Sequence, residues 1–419
     1  MSGNDNDNEI ITPEMITNES LRLLHDKLPF VSRINRRYSD EFKQGGARRS
    51  DEVMVRFPNR YVVREGATLK AQSTQESVAY LKLSEQKGVD LEVTSKDLTL
   101  HIDDFSRRYL EPAMSTLAST IEEDVLRSVL TDVVHVIQPK TVTPMPDWYD
   151  GMSLLGAWFD VNLIPSDQRR LVMNSYDQAE MVDSLKDYAQ RDRSVSRQYE
   201  TGRMRRFQGF DIGMSLSMPM RESRGRVEMG DDYGITPLEL GQIGDSFDTV
   251  NATPPTGEET MKPLPKPGDW ITFEGVYPVH PETKDPMRLF GLKPFKVESV
   301  VDDKVTFTPR LVWAGPKQNA AGVSGELFNA VLNKGTDGQN YYRWNVAFDP
   351  EAIAFVTADL ALPKDVDFAH RSNHDGIGMR VVRKYDINQD RFPCRIDVLY
   401  GRLLLRPDSV CLLVGNSDA

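Results

Sequence analysis

Cysteine is nearly missing from this chain. Its 419 residues hold two, Cys394 and Cys411, without pairing or metal-ligand spacing. That excludes a disulfide framework and a thiolate zinc site, and it fits assembly in a reducing cytoplasm. No apolar run reaches the roughly 20 residues that cross a bilayer, so no membrane partner is expected. The stretch Met1 to Glu9 is polar and acidic, so no signal peptide is expected there. There is no glycine-lysine phosphate loop, no His-Glu-x-x-His and no Gly-x-Ser-x-Gly elbow. Gly376-Ile377-Gly378 lacks the third glycine and the following helix of a dinucleotide fingerprint and reads as a turn. No internal repeat or low-complexity tract occurs.

What is present is ordinary in bulk and uneven in detail. Hydrophobic residues make up 39% and charged residues 27%, enough for two or three domains with cores of their own. The net charge of -12 excludes a chain that binds nucleic acid through its overall field. Residues 31–70 run the other way, with ten Lys/Arg against five Asp/Glu. Arg33, Arg36, Arg37, Arg48, Arg49, Arg56, Arg60 and Arg64 lie in this stretch. A second basic segment, Arg191 to Arg206, holds six Arg against Asp192 and Glu200. Two readings stand: a solvated charged face, or contacts with acidic surfaces on further copies of the same chain.

Thr12-Pro13-Glu14 predicts a helix start, with Leu21, Leu24 and Leu28 on one face and Pro29 as its stop. With no partner close in sequence, this helix reads as an arm. Val53 to Phe57 and Tyr61 to Val63 predict a long two-stranded loop, marginal by itself and expected on a neighbouring surface. Leu91-Glu92-Val93 and Leu98 to Ile102 alternate as strands do. Met114, Leu117, Ile121, Val125 and Val129 predict a spine helix running from Pro112 to Ile137, capped by Asp103-Asp104. Arg169 to Met173 reads as a strand and Ser175 to Gln178 as a helix start with a capping box. Residues 221–340 are rich in Gly and Pro and contain a hairpin, Phe295 to Val301 and Val305 to Leu311, turning at Asp302-Asp303. They predict an all-β unit set into another domain. The chain ends in β-like Cys394 to Arg402 and Val410 to Val414.

Candidate reaction centres are few. Asp365, Asp367, His370 and His374 form the most enzyme-like cluster, but Pro363, Asn373 and Gly376 predict a loop there rather than a helical face holding a metal. Glu122-Glu123 is expected on the solvated side of the spine helix. No His lies near a nucleophile and an orienting acid in sequence. No catalytic residue, cofactor or metal is assigned.

Several segments carry a resemblance. They are Val31-Ser32-Arg33-Ile34-Asn35-Arg36-Arg37-Tyr38, Arg205-Arg206-Phe207-Gln208-Gly209-Phe210-Asp211, and Lys266 to Val276 with its Gly268-Asp269 turn. Cys394-Arg395-Ile396, Tyr400-Gly401 and Arg406-Pro407 complete the set. In this order they resemble the major coat proteins of tailed double-stranded DNA bacteriophages. More narrowly, they resemble the short-tailed Salmonella-phage type with an inserted β-barrel.

The resemblance implies an α+β chain of the tailed-phage and herpesvirus capsid fold. Its parts would be an N-terminal arm over 1–37, an extended two-stranded loop over 38–90 and a peripheral domain with the spine helix over 91–145. An axial domain would follow over 146–220, the inserted barrel over 221–342 and axial and peripheral parts over 343–419. It implies a non-enzymatic shell of hexamers and pentamers, located in the virion capsid and assembled in the host bacterial cytoplasm. Implied partners are a scaffolding protein, a portal protein and packaged double-stranded DNA held non-specifically. The eight arginines named above, Arg33 to Arg64, are its candidate inter-subunit contacts. An encapsulin-like compartment, another virion part and a metalloenzyme built on His370 and His374 are the alternatives.

Overall fold

A computed structural model describes the chain except for residues 1–11, 40–51, 72–77, 95–104, 185–203, 223–232, 238–245, 254–266, 323–327, 333–340 and 418–419. Also outside it are positions 58, 60, 62, 65, 70, 138, 140, 143–144, 220, 269, 274, 302–303, 365 and 390.

Helix α1 spans Pro13–Asp26. Thr12 caps it by accepting from the Met15 amide at 3.3 Å, and Pro13 occupies the first turn where its missing N–H costs nothing. Ile16, Leu21, Leu24 and Leu28 are buried, continuous with Phe30 and Val31. They pack within the chain, against the spine helix and the hairpin Phe368–His374 with Ile377–Arg383. The arm helix thus docks on its own chain: its apolar stripe is covered by residues far along the same polypeptide.

The spine helix α2 covers Glu111–Asp132, about 33 Å at roughly 1.5 Å per residue. A π turn, Ser106–Leu110, leads into it. It ends earlier than Ile137 because Val133 turns extended and Val136–Ile137 joins the C-terminal strand in parallel, opposite Leu412 and Leu413. A β-branched pair beside an open sheet edge gains more as strand than as helix. The proposed cap Asp103-Asp104 and the strand Leu98 to Ile102 lie outside the described residues.

Helices α3 (Trp148–Val161) and α4 (Ser175–Ser184) flank the axial sheet. Asp147 caps α3, and Asn174 rather than Ser175 caps α4, its Oδ1 accepting from the Tyr176 amide at 3.0 Å. The sheet runs Val136–Ile137, Val410–Ser417, Tyr341–Phe348, Arg170–Met173, Phe210–Met214, Arg206–Phe207. A second sheet runs Ile353–Ala358, Arg391–Leu404, Ile377–Arg383, Phe368–His374, with Glu85–Thr94 paired along Arg391–Leu404.

Between these parts a closed six-stranded barrel is inserted. Its order is Tyr233–Pro237, Ser246–Thr253, Lys304–Val312, Pro294–Val301, Trp270–Phe273, Phe328–Leu332, and the last strand pairs with the first. Closure removes open edges. Phe273, Phe295 and Phe307 fill its interior with mutual ring distances of 5.1 to 5.3 Å. The predicted hairpin within it is present as Pro294–Val301 and Lys304–Val312. The chain is thus α+β with an inserted all-β barrel.

Candidate inter-subunit interface

The extended loop begins and ends as a two-stranded ribbon, Glu52–Arg56 paired antiparallel with Val78–Lys82. Alternation sends Val55 and Leu81 inward, where they pack with Ala354, Val356 and Leu405. The other face carries Met54 opposite Tyr80 and Arg56 opposite Val78. Met54, Val78 and Tyr80 are exposed, as are Tyr61, Val63 and Leu69 farther out. An ion pair of Lys82 with Glu52 edges the apolar row. The ribbon is thus anchored by one face and presents an exposed apolar row, edged by charge, on the other. Composition pointed to the arginines here; the exposed apolar row follows only from the strand register.

The arm residues have a different fate. After α1 a 3-10 turn, Val31–Arg33, carries the chain across the body. Asn35 donates its amide to Pro350 and Ile353 carbonyls and accepts from the Phe355 amide. Arg36 forms an ion pair with Asp375 at 2.8 Å and donates to the Asp375 carbonyl at 2.9 Å. His25 Nε2 lies 3.1 Å from the same carboxylate. Burial pushes the Asp375 carboxyl up, but the bond to His25 and the charge of Arg36 outweigh it and hold it below its ordinary value. Gly376, at φ +78°, completes the turn, its carbonyl accepting from Ser39 and Thr357. The segment is clamped to its own body.

Of the eight candidate arginines, Arg33 and Arg36 are thus engaged inside the chain. Arg33 lies against Gly213 and near Glu122. Arg37 is 84% exposed, with Glu351 at 3.5 Å. Arg56 is exposed on the ribbon, and Arg64 is exposed and donates to the carbonyls of Gly66 and Thr68. Arg48, Arg49 and Arg60 lie outside the described residues, as does Arg191 to Arg203 of the second basic segment.

Helix α4 precedes that second segment in the chain. Arg343, buried, reaches Asp177 through Nε at 2.8 Å and Glu180 through Nη2 at 2.7 Å. Asn345 donates to Asp177 at 2.7 Å, so α4 is pinned to the axial sheet.

The His cluster does not gather. His370 and His374 sit on the strand Phe368–His374, which corrects the expected loop. His374 meets the His25 ring edge-on at 5.3 Å. Asp365 is outside the described residues, and among the described residues no three His, Cys, Asp or Glu side chains form a metal-binding group. Glu122 is also corrected: it is buried, while Glu123 stays exposed and pairs with Arg127.

Comparison with known proteins adds the following. Residues 246–415 match the family described as P22 coat protein, gene protein 5. The match begins in the barrel and ends in the last axial strand, about two fifths of the chain. No curated protein matches the chain. Among solved structures, one from Mycobacterium phage Che8 is 13% identical, covers 91% of this chain and 89% of its own, and has a TM-score of 0.41. The mature capsid of bacteriophage PhiM1 is 12% identical over 87% of this chain and 82% of its own, with a TM-score of 0.38. The virus-like particle of Pyrococcus furiosus is 9% identical over 96% and 98%, with a TM-score of 0.37.

Proposed function

We propose that this chain, similar to P22 coat protein over residues 246–415, is a major capsid protein that assembles into an icosahedral virion shell. The observation carrying this reading is the coat-family match over residues 246–415, which takes in five of the six barrel strands and the C-terminal strands of both sheets. The ribbon supports it. Its outward apolar row, Met54, Val78 and Tyr80, needs a cover, and a second copy of the chain supplies one in every direction a lattice grows. Arg37, Arg56 and Arg64 stand at exposed positions, where they can meet acidic surfaces of an overall acidic neighbour. Hexamers and pentamers of the chain, a scaffolding protein, a portal protein and non-specifically held double-stranded DNA complete the proposed set of partners. Assembly takes place in the host bacterial cytoplasm. The shell itself calls for no catalytic group.

Negative-stain microscopy and light scattering of the purified chain, across concentration and ionic strength, test this. Shells or ring-shaped capsomers are expected. A chain that remains monomeric throughout overturns the reading. Copurified nucleic acid separates a genome shell from a compartment enclosing protein.

A further inference from the structure

Glu122 is the one acid of α2 that is buried, 1% exposed among Ile121, Val125 and Leu126. Two separate parts of the chain meet at its carboxyl. From the axial sheet comes Ser215, just after the strand Phe210–Met214, whose hydroxyl donates to Glu122 Oε1 and also accepts from the Ser217 amide. From the arm come the Phe30 backbone and, through its charge, the Arg33 guanidinium.

Arg33 is placed unusually. Its Nη1 is buried and has no hydrogen-bond partner. The guanidinium lies across Gly213, so close that a Cβ there would fall 1.2 Å from Nη1 and 2.4 Å from Cζ. The missing side chain at Gly213 leaves room for the guanidinium in this position. A half-buried guanidinium with one buried, open donor, near an acid bonded to a hydroxyl, has a second arrangement within reach. In it Arg33 leaves Gly213 and bonds the carboxylate directly.

We propose that Glu122, Arg33 and Ser215 form a proton-responsive joint coupling the N-terminal arm to the axial sheet through the spine helix. The arrangement described here belongs to the neutral carboxyl. Ionisation favours the direct Arg33–Glu122 pair and shifts the turn Val31–Arg33 relative to Gly213 and Ser215. Burial, working against Ser215, Phe30 and Arg33, pushes the Glu122 carboxyl up to about 7. Its folded value therefore lies above its ordinary 4.5. The closed joint is most stable below about 4.5 and weakens as pH rises through about 7.

Hydrogen exchange of the full chain, corrected for intrinsic rates, tests the joint. Protection at residues 31–35 and 213–218 should fall by about tenfold per pH unit between 4.5 and 7 and then level off. In Glu122→Gln, a neutral isostere, the protection should equal the wild-type value at low pH and stay flat. Gly213→Ala should displace Arg33 and lower protection at every pH. Should Glu122→Gln not fold, the infrared carboxyl band of the wild-type protein still reports whether a buried acid titrates near 7. Equal pH dependence in wild type and Glu122→Gln, or no buried carboxyl titrating in that range, would overturn the joint. Neither readout requires shell formation, so failure here is distinct from failure of the capsid reading.

Discussion

Trp270, on the barrel strand Trp270–Phe273, lies 5.4 Å from Trp344 on the axial strand Tyr341–Phe348, ring centre to ring centre. A second aromatic contact joins the same two parts, Phe290 edge-on to Trp158 at 5.2 Å. The barrel is therefore seated on the axial body by aromatic packing as well as by its connections.

Removing one indole should loosen that seat. Trp344→Ala leaves a cavity beside Trp270 and should cost about 3–5 kcal/mol. Calorimetry should resolve barrel and body melting separately in the variant, against a single coupled transition in the wild type. A single transition with unchanged midpoint would contradict the seating role.

Acid should act on the same junction through His135. This ring is buried, 4.4 Å from Trp158, and burial holds its imidazole below the ordinary value, opposed by a bond to Asp408 and reinforced by Lys293. A depressed imidazole contributes stability above its unfolded value of about 6.5 and loses it as pH falls. The wild-type melting temperature should drop on acidification below about 6.5, and His135→Gln should reduce that slope. The sign is opposite to that of Glu122, so the two substitutions separate the two effects.

The ribbon's outward face should matter to assembly and little to the fold. Met54→Lys with Tyr80→Glu changes side chains already exposed and places opposite charges across the ribbon, so the monomer should move within about 0.5 kcal/mol. Shell formation, read by light scattering, should fail. Reversing Arg48, Arg49 and Arg56 to Glu should give the same pattern through charge. Normal shells from either variant would remove the ribbon from the interface.

Asp397 should be the costliest single acid in the second sheet. It is 1% exposed and accepts from Arg380 at 2.6 Å and Arg395 at 2.8 Å. Burial raises its carboxyl, but the two arginine bonds outweigh it and hold it below the ordinary 3.8. Asp397→Ala strands Arg380 and should cost about 3–5 kcal/mol in urea unfolding. The wild-type contribution is present above about pH 4 and is lost as pH falls through the depressed value.

Neither thiol should react in the folded chain. Burial pushes Cys394 up to about 11 and Cys411 higher still. Labelling by a thiol reagent at neutral pH should follow global unfolding, and rapid labelling of either would show local opening there.

Local pattern was enough for much of this molecule. Thr12-Pro13 and the Leu21, Leu24, Leu28 stripe define α1, the spacing from Met114 to Val129 defines the spine, and the alternation from Phe295 to Leu311 defines the barrel hairpin. These are contacts between near neighbours, and their periods are written in the order of residues. Tertiary structure alone decided where each face would go. A leucine stripe demands a cover without naming it, and the cover for α1 proved to be a hairpin some 350 positions away, joined by His25 and Asp375. Arg36 was legible as a charge but not as a clamp, and Glu122 as an acid but not as a buried one. The partner that sets its chemistry, Ser215, stands 93 residues on. Such pairings depend on which strands lie side by side, a property of topology that no local spacing encodes.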